Sequence, residues 1–327
     1  AGSALESCVG HLNPPKPFAG LRENFDVLVV AISVAMAFRA YFYQPFKIPT
    51  GSMQPTLYGI HSEARAPSAA TLLDRQPLKF AKWLITGESF KIVRAKASGT
   101  VNFMPSDSSK KPGYMPVVVA GVPHYVPNDA VEADAYRRPV RLKGGVDNGA
   151  SVRAGEVLWA GVVVSGDFVF VNRWKWNFAH PTRGEVMVFS TTGIQALMQG
   201  THYIKRMTGL PNETLQIKAP SLIVNGEAVT RPLRIGQIAR KETVWPGHPA
   251  YSGFNPSGTR QIYLPGQSLA GESDRVTLKA DEYYAMGDNS FNSFDSRYWG
   301  PVPERNLLGP ATVVYWPFTS PRFGWIR

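Results

Sequence analysis

Tyr203-Ile204-Lys205-Arg206-Met207-Thr208-Gly209-Leu210-Pro211 reads as a strand closed by Gly and Pro. Alternation along it sends Lys205 to one face and Ile204 and Arg206 to the other. A lysine turned toward a core is costly to keep charged, so its pKa falls. A base working near neutral pH needs a drop of roughly three units from ~10.4, about 4 kcal/mol of penalty on the charged form. A solvated Lys-Arg pair on a surface strand would have the same pattern, and this segment alone leaves both readings open.

Working outward, similar runs recur. Phe90-Lys91-Ile92-Val93-Arg94-Ala95, Asp167-Phe168-Val169-Phe170-Val171-Asn172, Glu185-Val186-Met187-Val188-Phe189 and Ala311-Thr312-Val313-Val314-Tyr315-Trp316 alternate or run apolar with β-branched residues. Leu222 to Val229 predicts a hairpin around Asn225-Gly226. With 30 Gly, 27 Pro and 12% aromatics in 327 residues, many turns separate short strands. The expected fold class is therefore mostly β, built on antiparallel sheets. A short helix is expected around Leu72–Ile85.

The run from Phe25 to Phe38 is apolar all round except for Asp26 and Ser33. It is shorter than the ~20 residues a bilayer core needs, but Ala40-Tyr41-Phe42-Tyr43 extends it past Arg39 with aromatics suited to an interface. A transmembrane anchor over 25–46 is the expectation. A buried core helix and a cleaved export signal, the latter from the small-x-small Ala35-Met36-Ala37, are the alternatives. The cleaved-signal reading fits less well, because the next motif follows only a dozen residues later without a linker.

Net charge is +11, but no run of five basic residues and no nucleic-acid-binding motif accompanies it. Membrane-surface contact is favoured and nucleic acid disfavoured. Cys8 is the only cysteine, which excludes an internal disulfide and a cysteine-based zinc site. The six histidines show no metal spacing, and no Gly-rich phosphate loop follows a strand. No cofactor is expected.

Two further segments carry candidate chemistry. Pro49-Thr50-Gly51-Ser52-Met53-Gln54-Pro55-Thr56-Leu57 sets a serine in a Pro/Gly-bounded turn directly after the apolar run, a place where a hydroxyl can be held in one exposed geometry. Met286-Gly287-Asp288-Asn289-Ser290-Phe291-Asn292-Ser293-Phe294-Asp295-Ser296-Arg297-Tyr298-Trp299-Gly300 predicts a loop stitched by local side-chain hydrogen bonds. Its acidic spacing does not match an EF-hand.

Together with Ser165-Gly166-Asp167-Phe168-Val169-Phe170-Val171-Asn172, these segments resemble, in family order, the type I signal peptidases of family S26. The resemblance implies a membrane-bound serine endopeptidase with Ser52 as nucleophile and Lys205 as its base. It implies an oxyanion hole from the Ser52 N–H and the Thr50 hydroxyl, and Ser293 orienting the lysine amine. Asp288, Asp295, Arg297 and Arg206 would support the site structurally. The implied partners are membrane lipid and exported preproteins, whose signal peptides would be cut after small-x-small motifs. The implied location is the bacterial inner membrane, with a single span and the catalytic part on the periplasmic side.

Two departures from the family pattern stand out. Ser290-Phe291 occupies the place of a charged pair, and a long insertion separates Gly59 from Ser165. Within it, Ala95-Lys96-Ala97-Ser98-Gly99-Thr100-Val101 and Val152-Arg153-Ala154-Gly155-Glu156-Val157-Leu158 resemble small lipoyl-like β modules in shape alone. The expected organisation is a flexible tail over 1–24 and an anchor over 25–46. Catalytic segments cover 47–58 and 165–327, with an extension at 218–277 and a β-rich insertion at 59–164. The rival function is a membrane-anchored binding protein with an inactive protease fold.

Overall fold

The structure, a computed structural model, describes residues 18–104, 111–134, 138–259 and 267–326. The chain divides into two compact units, Ala1–Gln44 and Pro45–Arg327.

The first unit is built on helix α1 (Ala19–Tyr41). Its large apolar side chains, from Leu21 to Phe38, are exposed. At ~1.5 Å per residue it matches a hydrocarbon layer of ~30 Å, and Gly20–Tyr41 is long and apolar enough to cross a membrane. The helix starts earlier than the expected 25 and stops short of the expected 46. Residues 1–17 of the expected tail lie outside the described residues, whereas 19–24 are helical because Leu21-Arg22-Glu23-Asn24 contains no breaker. At the far end Pro45 forbids continuation, and Tyr43–Lys47 becomes strand β1 instead.

The main sheet of the second unit uses β1 with β2 (Phe168–Asn172), β3 (Val186–Ser190), β4 (His202–Gly209), β5 (Glu282–Met286), β6 (Val302–Pro303), β7 (Leu307–Trp316) and β8 (Gly324–Trp325). Their order is β1-β2-β7-β3-β4-β5-β6, with β8 pairing to β7. The pairings from β2 to β6 are antiparallel. Central β3 is buried on both faces. Val186 and Val188 pack with Ile48, Met53 and Leu57 on one side, and Met187 and Phe189 with Met207 and Trp299 on the other. The turn carrying Ser52 is thus held by its own apolar neighbours against the middle of the sheet.

The 59–164 segment has its own core, which includes Val101, Val117, Val119, Leu142, Leu158 and Trp159. A three-stranded sheet (His61–Ala64, Val157–Val164, Glu88–Arg94) and a four-stranded one (Val122–Pro127, Tyr114–Val119, Gly99–Phe103, Ser151–Val152) contribute to it. Helix α2 (Leu78–Thr86) lies in this segment. It starts later than the sequence pattern implied, because Pro77 separates it from a 3₁₀ turn at Leu72–Asp74.

Past β4, Thr214–Lys218 and Ser221–Val224 form a small sheet with Val276–Thr277 and Glu227–Ala228. Val224 pairs with Glu227 across Asn225-Gly226, and both turn residues have positive φ, the two-residue hairpin that Asn-Gly favours. This sheet and helix α3 (Leu233–Ala239) enclose a core that also takes in Tyr284 and Met286 of β5. The extension is therefore packed into the strand that leads to the 287–300 loop.

Candidate active site

Lys205 lies on β4 opposite Met187, and Arg206 opposite Val186, so alternation sends their side chains to opposite faces. Both are buried. The Lys205 Nζ donates to Ser52 Oγ at 2.7 Å and to the Ile204 carbonyl at 3.0 Å. Burial pushes the amine down from its usual 10.5 to about 8. The neighbouring carboxylates of Asp295 and Asp288 oppose that fall, and Arg297 reinforces it. An amine of this kind is neutral in a useful fraction of molecules near neutral pH and can take a proton from the hydroxyl beside it.

Ser52 sits in a single 3₁₀ turn, Gly51–Met53, which the 287–292 loop clamps from one side. The Asn289 N–H donates to the Ser52 carbonyl at 3.0 Å, and Asn289 Nδ2 to the Gly51 carbonyl at 3.2 Å. Thr50 precedes the turn in extended conformation, exposed, with φ −123° and ψ 160°. Gly59 packs on the Thr50 backbone so closely that a Cβ there would lie 2.5 Å from the Thr50 nitrogen.

Asp288 is buried and paired with Arg206 through Nε at 2.7 Å and Nη2 at 2.6 Å. Thr56, four residues past Ser52, donates to the same carboxylate and bonds the Tyr251 hydroxyl at 2.7 Å. Arg206 Nη1 also donates to the Gly184 carbonyl at 2.5 Å. Asp295 accepts from the Gly287 N–H at 2.9 Å and from Arg297 Nε and Nη2, both at 2.8 Å. Arg297 then reaches the carbonyls of Asn255 (2.6 Å) and Ser290 (2.8 Å), tying the extension to the loop. Two buried ion pairs, at Asp288 and at Asp295, thus hold the loop that follows Gly287.

Ser293 differs from expectation. It is buried, yet its Oγ has no hydrogen-bond partner, and the implied bond to the lysine amine is not formed. The amine is turned toward Ser52 and the Ile204 carbonyl instead, while Ser293 Oγ packs against Gly287.

Several supporting residues carried little signal in the sequence. Asp167, quoted there only as part of a strand, accepts from the Tyr58 N–H at 2.7 Å and from Arg322 Nε at 2.7 Å. Its own backbone pairs with Tyr58 and Ile48 on either side of the Ser52 turn. Gly166 precedes it at φ 29°, where a Cβ would collide with the Ile48 carbonyl. Tyr251 and Arg322 gave no sign at all, since each meets its partner only through the tertiary fold.

The signal peptidase, peptidase S26, family model matches residues 161–316, which carry Lys205 and the whole Gly287–Gly300 loop. The chain is similar to type I signal peptidases of several bacteria. It is 31% identical over 156 residues to signal peptidase I of Leptolyngbya laminosa, covering 46% of this chain and 61% of that one. Against signal peptidase I of Pseudomonas aeruginosa it is 31% identical over 181 residues, 48% of this chain and 61% of that one. Against signal peptidase I T of Bacillus subtilis strain 168 the values are 29% over 158 residues, 48% and 68%. The chain thus spans 61% and 58% of the first two signal peptidases it matches. The apolar helix α1 and the bacterial relatives together point to membrane anchoring.

Proposed function

We propose that the protein is a membrane-bound signal peptidase that removes N-terminal signal peptides from exported preproteins by a Ser52/Lys205 dyad. The observation that carries this reading is the buried Lys205 amine at 2.7 Å from Ser52 Oγ. Neutral Lys205 takes the Ser52 proton as Oγ attacks the scissile carbonyl. The Ser52 N–H and the Thr50 hydroxyl donate to the developing oxyanion, each such donor contributing on the order of 10²–10³-fold in rate. Collapse expels the amine of the mature protein, which receives its proton from Lys205. The same lysine then activates water to hydrolyse the ester on Ser52.

The buried and unpartnered Ser293 hydroxyl, beside Gly287, supplies an acceptor for a lysine N–H once substrate binding tightens the site, since catalytic hydrogen bonds are often loose before substrate arrives. Asp288, Asp295, Arg206 and Arg297 act by holding the loop. Residues 47–58 and 165–327 form the catalytic part, with 218–277 as its extension and 59–164 as an insertion. The substrate peptide pairs as an added strand and is cut after a small-x-small motif. The setting is the bacterial inner membrane, with one span and the catalytic part on the periplasmic side.

The test is cleavage of a purified preprotein bearing an Ala-x-Ala site by the detergent-solubilised chain. Wild type cuts at that site, and Ser52→Ala and Lys205→Ala each lose nearly all rate. A variant that kept its rate would remove that residue from the mechanism.

A further inference from the structure

Helix α2 (Leu78–Thr86) is built inside out. Residues Lys79, Lys82, Trp83 and Thr86 share one face, at i, i+3, i+4 and i+7, and that face is turned toward the protein. Lys79 Nζ donates to the Phe90 carbonyl at 3.2 Å, Lys82 pairs with Asp74 at 2.9 Å, and Trp83 Nε1 donates to Ser165 Oγ at 3.0 Å. The opposite face carries Leu78, Phe80, Ala81, Leu84 and Ile85, all exposed, with Phe80 at 59% and Ile85 at 54%. Leu72 and Leu73, in the turn before the helix, are exposed as well. A helix lying on a water-facing surface places its apolar stripe inward; this one directs it outward, and such patches mark interaction sites.

The surroundings favour lipid as the occupant. The outward face of α2 bears no charge, and within residues 66–86 Lys82 and Asp74 pair with each other, which leaves Arg75 and Lys79 as a net charge of +2. An uncharged apolar face beside a small net positive charge suits an anionic membrane interface. A chain of ring contacts also leads from α2 to the strand that follows the apolar helix α1. Trp83 meets Trp316 at 5.2 Å, Trp316 meets Phe168 at 4.9 Å, and Lys47 of β1 sits 5.6 Å from the Phe168 ring.

We propose that α2 lies in the membrane interface, its Leu78/Phe80/Leu84/Ile85 face seated among lipid acyl chains. It forms a second lipid contact, made by the insertion, alongside the α1 span. The inference rests on the membrane-anchored reading above and adds to it a surface that the family match at 161–316 does not cover.

The test uses the full chain in a Cys8→Ser background, with Phe80→Cys, Ile85→Cys and, as control, Glu227→Cys on the extension hairpin. Each is labelled with bimane and reconstituted into phosphatidylethanolamine/phosphatidylglycerol vesicles carrying nitroxide-labelled lipid in both leaflets. Labels at 80 and 85 are expected to be quenched several-fold more than the label at 227. Equal quenching at all three positions overturns the proposal, as does a label at 80 or 85 that is shielded from aqueous iodide yet not quenched by lipid, because a protein partner then covers the face. Carbonate extraction of membranes separates the two levels of failure. A chain that stays in the membrane but shows no quenching at 80 and 85 defeats only this inference; a chain that is stripped away defeats the anchoring reading and this inference with it.

Discussion

Gly287 lies against the carbonyl of Ser52: a Cβ built on that glycine would stand 2.5 Å from the carbonyl oxygen and would also collide with Ser293 Oγ. The loop bearing Asp288 and Asp295 can therefore approach the Ser52 turn only because residue 287 has no side chain. The Asn289 bonds to Ser52 and Gly51 follow directly from that approach.

Gly287→Ala should push the loop and the Ser52 turn apart by a few tenths of an ångström or more. A displacement approaching 1 Å at a reacting group costs on the order of 10²-fold in rate. The expected outcome is a loss of kcat of that size on a preprotein substrate, with the far-ultraviolet circular dichroism spectrum retained. A variant with full kcat would mean that the close contact is not needed to set Ser52.

The depressed pKa of Lys205 sets the pH profile. Only the neutral amine can accept the Ser52 proton, and burial holds its pKa to about 8. Below that value kcat/KM should fall tenfold per pH unit, and above it the rate should level off. A profile flat between pH 6 and 9 would show that Lys205 is not the base.

The same shift weighs on stability. The unfolded lysine titrates near 10.5 and the folded one near 8, so the unfolded chain binds more protons between those values. The penalty of burying the charge is present in full below about pH 8 and is relieved as pH rises from there toward 10.5. Lys205→Met should therefore abolish cleavage and stabilise the protein at pH 7 by up to about 3 kcal/mol, read as a higher Tm in detergent. At pH 10.5 the gain should largely vanish.

How much of this was legible in the sequence follows from the range of each interaction. The strand alternation around Lys205, the Asn225-Gly226 hairpin and the apolar helix are local patterns, and the structure has all three. The helix end was misplaced because Pro45 stops a helix even within an apolar, aromatic stretch. Ser52 and Lys205 stand 153 residues apart, and no local rule joins them; the family resemblance did. Thr56–Tyr251 and Asp167–Arg322, separated by 195 and 155 residues, had neither kind of signal. The inverted polarity of α2 was also hidden, since an amphipathic pattern reveals two faces but not which one the tertiary fold turns inward.

The Arg206–Asp288 pair should behave as a buried unit. Both side chains are 1% exposed, so removing either leaves the other charge desolvated and unpaired. Asp288→Ala should cost about 3–5 kcal/mol, and Arg206→Met with Asp288→Leu together should cost less than the sum of the singles. Denaturant titration of the four proteins measures the coupling. Additive costs would mean that the two groups do not depend on each other.

Tyr251 tests whether the extension braces the catalytic turn. Its hydroxyl bonds Thr56 Oγ1, which also bonds Asp288 and accepts from Arg206 Nη2 at 3.1 Å. Tyr251→Phe removes one member of a network whose other bonds survive, so the stability loss should be about 1 kcal/mol. Thr56→Val leaves the Tyr251 hydroxyl without its Thr56 bond, removes one of the bonds to Asp288 and Arg206, and should cost more, about 1–3 kcal/mol. If the extension holds the turn, Tyr251→Phe also lowers kcat several-fold with KM little changed, because Thr56 lies four residues from Ser52 and touches no substrate. If kcat is unchanged while stability falls, the contact serves folding alone, and the extension acts on the site through its other bonds to the loop, such as Arg297 with the Asn255 carbonyl and Ser290 with Ser252 and Asn255.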